Sequence, residues 1–251
     1  KQLFITSVRD FEKNTMGTVE AREVPMPEPA DDEVRIKIIY SSICGSDAHT
    51  LTGHLGEFEE GTKAMLPMTF GHELSGVIDK VGPKAEALGY HVGDKVIANY
   101  AKYCYACENC RSGHENLCSH VQFCMNGFAE YAVYHVTQVH KLPENYDLET
   151  AALIEPLAVT VHAAKRFQDI NGANLSITGC GPIGILLMQS CKALGAAGAV
   201  AHLARELAAR SVDVVPSRLA DRRHDARLVE AAAERENLLA LGLAQADCVK
   251  D

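Results

Sequence analysis

The 251-residue sequence lacks any apolar run near the ~18 residues that a membrane span needs. Its first residues, Lys1-Gln2-Leu3, lack the apolar centre of a secretory leader. It also lacks a basic block. Lys and Arg number 24 against 33 Asp and Glu, a net charge of −9, which disfavours nucleic acid and an anionic membrane face as partners. These absences imply a soluble, cytoplasmic protein. With 47% hydrophobic and 23% charged residues, the composition excludes wholesale disorder, and the length allows one or two domains. Nine cysteines, an odd number without a leader, argue against a secreted disulfide framework.

Residues 1–100 read as short strands between glycine turns. Glu33 to Tyr40 alternates apolar and polar residues as a half-buried strand does, and Leu74 to Val81 and Lys95 to Ala98 follow suit. The pattern changes after Leu148. Leu153 to Lys165 has apolar residues at helical spacing and opens near Pro156. Asn174 to Gly179 reads as a strand that runs into a glycine turn. Ile183, Leu186, Leu187, Cys191 and Leu194 then fall on one face of a helix that stops at Gly195. Beyond Val200 seven of the twelve arginines crowd together, aromatics are absent, and no second strand stands out. That stretch reads equally as two Ala/Arg-rich helices on a sheet or as an insertion.

Three constellations carry chemistry. Cys104, Cys107, Cys110 and Cys118 can wrap one tetrahedral Zn²⁺ in a closed site that orders its own loop. Unrelated cysteines, or an iron–sulfur cluster, are the alternatives. Cys44, His72, Glu73 and Glu155 are dispersed, and offer the mixed donors of an open, catalytic zinc site. Spacing alone leaves that set unproven, since a lone Cys or His is more often structural. Gly179-x-Gly181-x-x-Gly184, with Pro182 and Ile183 opening the helix, would let backbone approach a pyrophosphate. Glu206 and Asp213 are the nearest candidates for the ribose-binding acid, which leaves NAD and NADP both open.

These signals occur together, in order, in one family. Through Ser42-Ile-Cys-Gly-Ser-Asp-Ala-His49, Gly71-His-Glu-Leu-Ser-Gly-Val77, Val92-Gly-Asp-Lys-Val96, the four-cysteine lobe, Gly127-Phe-Ala-Glu-Tyr131, Glu155-Pro-Leu-Ala-Val159 and Gly179-Cys-Gly-Pro-Ile-Gly184, the chain resembles the zinc-dependent medium-chain alcohol dehydrogenases, most of all their polyol, sorbitol dehydrogenase-like branch. The likeness runs from residue 1 to about 198 and returns faintly at Leu238 to Asp251.

The resemblance implies an α/β protein: a mostly-β, GroES-like zinc-binding catalytic domain over 1–156, its structural zinc lobe at 100–120, then a partial Rossmann-type dinucleotide-binding domain over 157–251, atypical at 200–236. It implies two zinc ions per chain and NAD or NADP. Cys44, His72 and Glu73 correspond to catalytic-zinc ligands, and Glu155 binds directly or through a water. Ser46 matches the hydroxyl that bonds the substrate alcohol, His49 the relay passing its proton to solvent, and Asp47 an orienting carboxylate. The implied substrate is a secondary alcohol or polyol, with L-threonine, 2,3-butanediol or a sugar-alcohol phosphate as alternatives, and complete members form homodimers or homotetramers. Against the family's six-stranded sheet, roughly a hundred residues more are expected, so an impaired zinc-binding remnant is a further alternative.

Overall fold

The computed structural model describes residues 1–10, 14–53, 59–167 and 169–202. Two compact units divide the chain, Lys1–Glu155 and Pro156–Asp251. The first unit contains β1 (Gln2–Ser7), β2 (Thr18–Arg22), β3 (Glu33–Ser42), α1 (Gly45–Thr52), α2 (Glu59–Ala64), β4 (Met68–Thr69), β5 (Glu73–Val81), α3 (Pro83–Ala87), β6 (Lys95–Ala98), β7 (Ala101–Lys102), α4 (Glu108–Arg111), β8 (Gln122–Phe123), β9 (Tyr131–His135), β10 (Val139–Lys141) and α5 (Leu148–Ala151). Helix α6 (Ile154–Lys165) begins at its end.

Five strands form an antiparallel sheet in the order β10-β6-β5-β3-β9. Alternation along β3 explains its place. Val34 and Ile36 are fully buried and face Tyr134 and Ala132 on β9, and Val81 and Ile78 on β5. Together with Leu74, Val96, Ala98 and Val139 they make one contiguous core. The ladder between β3 and β5 is irregular, with register shifts between Arg35 and Ile36 and between Ile38 and Tyr40. Beside the second shift Gly76 lies so close to β3 that a Cβ would sit 2.2 Å from the Lys37 carbonyl oxygen. After these shifts Ser42 pairs with Glu73 at the ladder's end. A three-stranded sheet β2-β1-β4 and the small pair β7-β8 complete the unit.

In the second unit β11 (Asn174–Thr178) leads through a glycine turn into α7 (Pro182–Ala193), which returns to β12 (Gly198–His202), parallel to β11. Sequence reading missed this second strand. Gly198-Ala-Val-Ala-His is short and abuts the Arg-rich stretch, so pattern alone does not separate it. Leu194 caps α7 and is 40% exposed, and the chain turns away at Gly195, whose φ is +103°. Helix α6 starts two residues before Pro156, which takes a first-turn place where its missing N–H costs nothing. Leu153 stays outside the helix. Glu206, Asp213, most of 200–236 and the faint likeness at 238–251 lie outside the described residues. Among the described residues no helix is long and apolar enough to cross a membrane.

Candidate active site

The end of the β3–β5 ladder builds the first centre. β3 delivers Cys44 two residues past its last pair, and His72 immediately precedes β5, whose first residue is Glu73. Their ligand atoms lie within 4.8 Å of one another, with His72 and Glu73 buried and Cys44 half-buried. Cys44 is also the N-cap of α1. One carboxylate ties the two ligand-bearing segments together: Asp47, 3% exposed, accepts from the Cys44 backbone N–H at 3.0 Å and the Gly71 N–H at 3.2 Å. Burial raises the Asp47 pKa above the ordinary carboxylate value, against the lowering influence of His72 and both N–H donors.

The donor chemistry fits a borderline-soft divalent metal. Burial pushes the Cys44 thiol up to about 11, so without a cation the sulfur stays protonated. His72 Nδ1 is buried without a protein hydrogen bond among the described residues. A thiol, an imidazole and a carboxylate converging in this way suit zinc, and three donors would leave a tetrahedral ion one position for a further ligand.

Glu155, in the first turn of α6, lies outside that tight cluster, but near enough for the Glu73 charge to act on it. Burial first, then Glu73, pushes its carboxyl up to about 7, and its Oε2 has no hydrogen-bond partner among the described residues. Ser46 and His49 stand three residues apart, one turn along the face of α1, and both are half-buried. Two neighbours escaped sequence reading. Ser42 donates to Glu73 Oε2, and the Tyr100 ring packs on the His72 imidazole with centroids 5.1 Å apart. The first contact follows from strand pairing and the second from residues 28 apart in the chain, and nothing in the local sequence signals either.

The second centre is local. The sulfurs of Cys104, Cys107, Cys110 and Cys118 gather within 4.8 Å. Cys104 Sγ lies 3.9 Å from Cys110 Sγ and 3.5 Å from Cys118 Sγ. Four sulfurs about 2.3 Å from a tetrahedral zinc would be separated by about 3.8 Å. The backbone favours thiolate: Cys104 Sγ accepts from Cys107 N–H at 3.3 Å, and Cys118 Sγ from the Cys104 and His120 N–H groups at 3.4 Å. Hydrogen bonds from the Cys110 and Ser119 backbone bring the Cys107 thiol down to about 6, whereas burial and neighbouring thiols push Cys110 up to about 12.

In the second unit Gly179 adopts φ +116°, a conformation only glycine takes readily. Gly181 is the N-cap of α7, with Pro182 at the first helical position. A Cβ on Gly184 would sit 1.9 Å from the Gly179 carbonyl oxygen, so the strand-to-helix turn closes only over glycine. The first N–H groups of α7, at Ile183 and Gly184, have no partner within the helix and are suited to an anion.

The profile of the alcohol dehydrogenase GroES-like domain matches residues 30–144. A zinc-binding dehydrogenase from Clostridium scindens, of known structure, is 48% identical, superposes with a TM-score of 0.77, and is matched over 99% of this chain and 69% of its own. A sorbitol dehydrogenase of Bombyx mori is 37% identical over 207 residues, 80% of this chain and 55% of that protein. The (R,R)-butanediol dehydrogenase of Saccharomyces cerevisiae is 35% identical over 218 residues, 76% of this chain and 56% of its own. The chain thus spans about half the length of the curated relatives it matches. It belongs to the zinc-dependent medium-chain alcohol dehydrogenases.

Proposed function

We propose that the protein is a zinc- and nicotinamide-dependent dehydrogenase that oxidises a secondary alcohol or polyol. The observation that carries this reading is the convergence of Cys44, His72 and Glu73 within 4.8 Å, beside a helix bearing Ser46 and His49. Cys44, His72 and Glu73, with Glu155 directly or through a water, would hold a zinc ion that supplies a Lewis acid and so acidifies an alcohol. Cys104, Cys107, Cys110 and Cys118 would hold a second zinc that orders the lobe. NAD or NADP would supply the hydride acceptor.

The chain's own residues do the rest. Ser46 bonds the substrate hydroxyl and takes its proton. His49, one turn away, carries that proton toward solvent. Asp47 fixes Cys44 against the Gly71–Glu73 segment by holding a backbone N–H of each. Gly179, Gly181, Pro182, Ile183 and Gly184 form a turn whose backbone can approach a pyrophosphate. The same chemistry would serve 2,3-butanediol, which the yeast relative's name favours, or L-threonine or a sugar-alcohol phosphate. A cytoplasmic location and a homodimer or homotetramer belong to the same proposal.

The test is turnover of sorbitol, xylitol, 2,3-butanediol and L-threonine by the zinc-loaded protein with NAD⁺ or NADP⁺. Ser46→Ala should lower kcat by about 100-fold or more, and His49→Ala by less, with partial recovery at high pH or with added base. Equal, pH-independent losses would contradict the relay. Full zinc loading without turnover would make the 251-residue chain a zinc-binding unit instead.

A further inference from the structure

Ser42 is the last residue of β3, and its partner in the β3–β5 ladder is Glu73, the first residue of β5. The pairing places the Ser42 hydroxyl against the Glu73 carboxylate, where it donates to Oε2. Residues directly opposite in a ladder have Cβ atoms only about 5 Å apart, a span that a hydroxyl and a glutamate close without rearrangement. Glu73 is 6% exposed, so water does not compete freely for that oxygen. Two residues beyond Ser42 stands Cys44, and one before Glu73 stands His72. The hydroxyl thus sits between the two segments that converge on the centre.

A buried carboxylate at a metal centre needs an outside partner. It has two oxygens and free torsions, and the field of Glu155 bears on it from α6. If neither oxygen were held, the carboxyl group could rotate away from Cys44 and His72. Metal-ligating side chains are commonly oriented by a hydrogen bond to the atom that does not face the metal. Asp47 does not fill this role for Glu73, since its own oxygens are engaged by the Cys44 and Gly71 N–H groups.

We propose that Ser42 is a positioning residue of this metal centre: its hydroxyl, set by the β3–β5 register, holds one oxygen of Glu73 and leaves the second as the metal donor. The inference rests on the reading of Cys44, His72 and Glu73 as metal ligands. It assigns Ser42 a task other than ending a strand, because its hydroxyl is spent on a buried carboxylate.

The test is Co²⁺ titration of the full 251-residue chain and of Ser42→Ala, Ser42→Thr and Cys44→Ser, followed by the visible absorption of the bound ion and by competition with a chelator. Two Co²⁺ ions should bind the unmodified chain, and Cys44→Ser should lose one. Ser42→Ala should bind its Cys44-dependent ion about 10-fold or more weakly and with an altered spectrum, the usual range for losing an outer partner being about 10–100-fold. Ser42→Thr keeps the hydroxyl on a residue suited to a strand, and should restore both affinity and spectrum. The four-cysteine site should fill alike in every variant, and a cooperative melt should show that the sheet is folded. Unchanged affinity and spectrum in Ser42→Ala, whether or not its melting temperature falls, would overturn the inference while leaving the metal centre in place. Two ions still bound by Cys44→Ser would overturn the metal-centre reading itself, and the role of Ser42 with it.

Discussion

Cys44 starts α1 and would also supply the sulfur of the proposed dispersed ligand set. Serine also caps helices well, so Cys44→Ser should preserve the fold and remove a soft donor. Elemental analysis should find two zinc ions in the unmodified chain and one in Cys44→Ser. Cys107→Ser should behave differently and lower the soluble yield, because a closed site contributes its binding energy to folding. Gly184 tests packing rather than ligation. Its substitution by alanine sets a methyl group against the Gly179 carbonyl oxygen at 1.9 Å, closer than any real contact. We expect Gly184→Ala to destabilise the second unit by about 1–3 kcal/mol in a denaturant titration, with both metal sites still filling.

At the scale of elements, the sheet carries a similar constraint at Gly76, where a Cβ meets the Lys37 carbonyl oxygen on the neighbouring strand. Gly76→Ala should lower the unfolding midpoint of the first unit and loosen the Ser42–Glu73 end of the ladder, visible as faster amide exchange of its last pairs. Helix α5 shows the pH dependence of a cap. Asp147 accepts from the Thr150 hydroxyl at 2.7 Å and its N–H at 2.8 Å, and these bonds hold its carboxyl below the ordinary aspartate value. A depressed folded-state pKa means stability that is present above the unfolded value of about 3.9 and lost as pH falls through the folded one. An NMR titration should find Asp147 below about 3.9, and the melting-temperature deficit of Asp147→Ala at pH 7 should shrink as the pH falls below that value.

Much of this was legible where chemistry is local. The spacing from Cys104 to Cys118 and the glycines from 179 to 184 state their geometry within a few residues, and the alternation of Val34 and Ile36 announces β3. What stayed hidden depends on pairing. The shifts at Arg35/Ile36 and Ile38/Tyr40 decide that Ser42 faces Glu73, and no periodicity encodes them. Strand β12 was hidden for another reason: four small or apolar residues and a histidine carry too little pattern to stand out.

For the whole molecule, the two centres differ in how they depend on the fold. The dispersed set is held by the five-stranded sheet, whose core of Val34, Ile36, Leu74, Ile78 and Val96 needs no metal. Between Tyr103 and Phe123, by contrast, only Cys110 and Cys118 are buried apolar side chains. A strong chelator should therefore loosen the lobe around 104–118 well before the sheet, and hydrogen exchange should show protection lost there first. The closeness of the lobe's sulfurs has one more consequence, for handling and ageing. A disulfide needs its sulfurs about 2 Å apart, and Cys104 and Cys118 are already at 3.5 Å. An emptied lobe exposed to air needs little movement to oxidise, after which no zinc can return. The resident ion would then act as a chemical shield for its own ligands, and stripped protein should regain full metal content only if a reductant was present throughout.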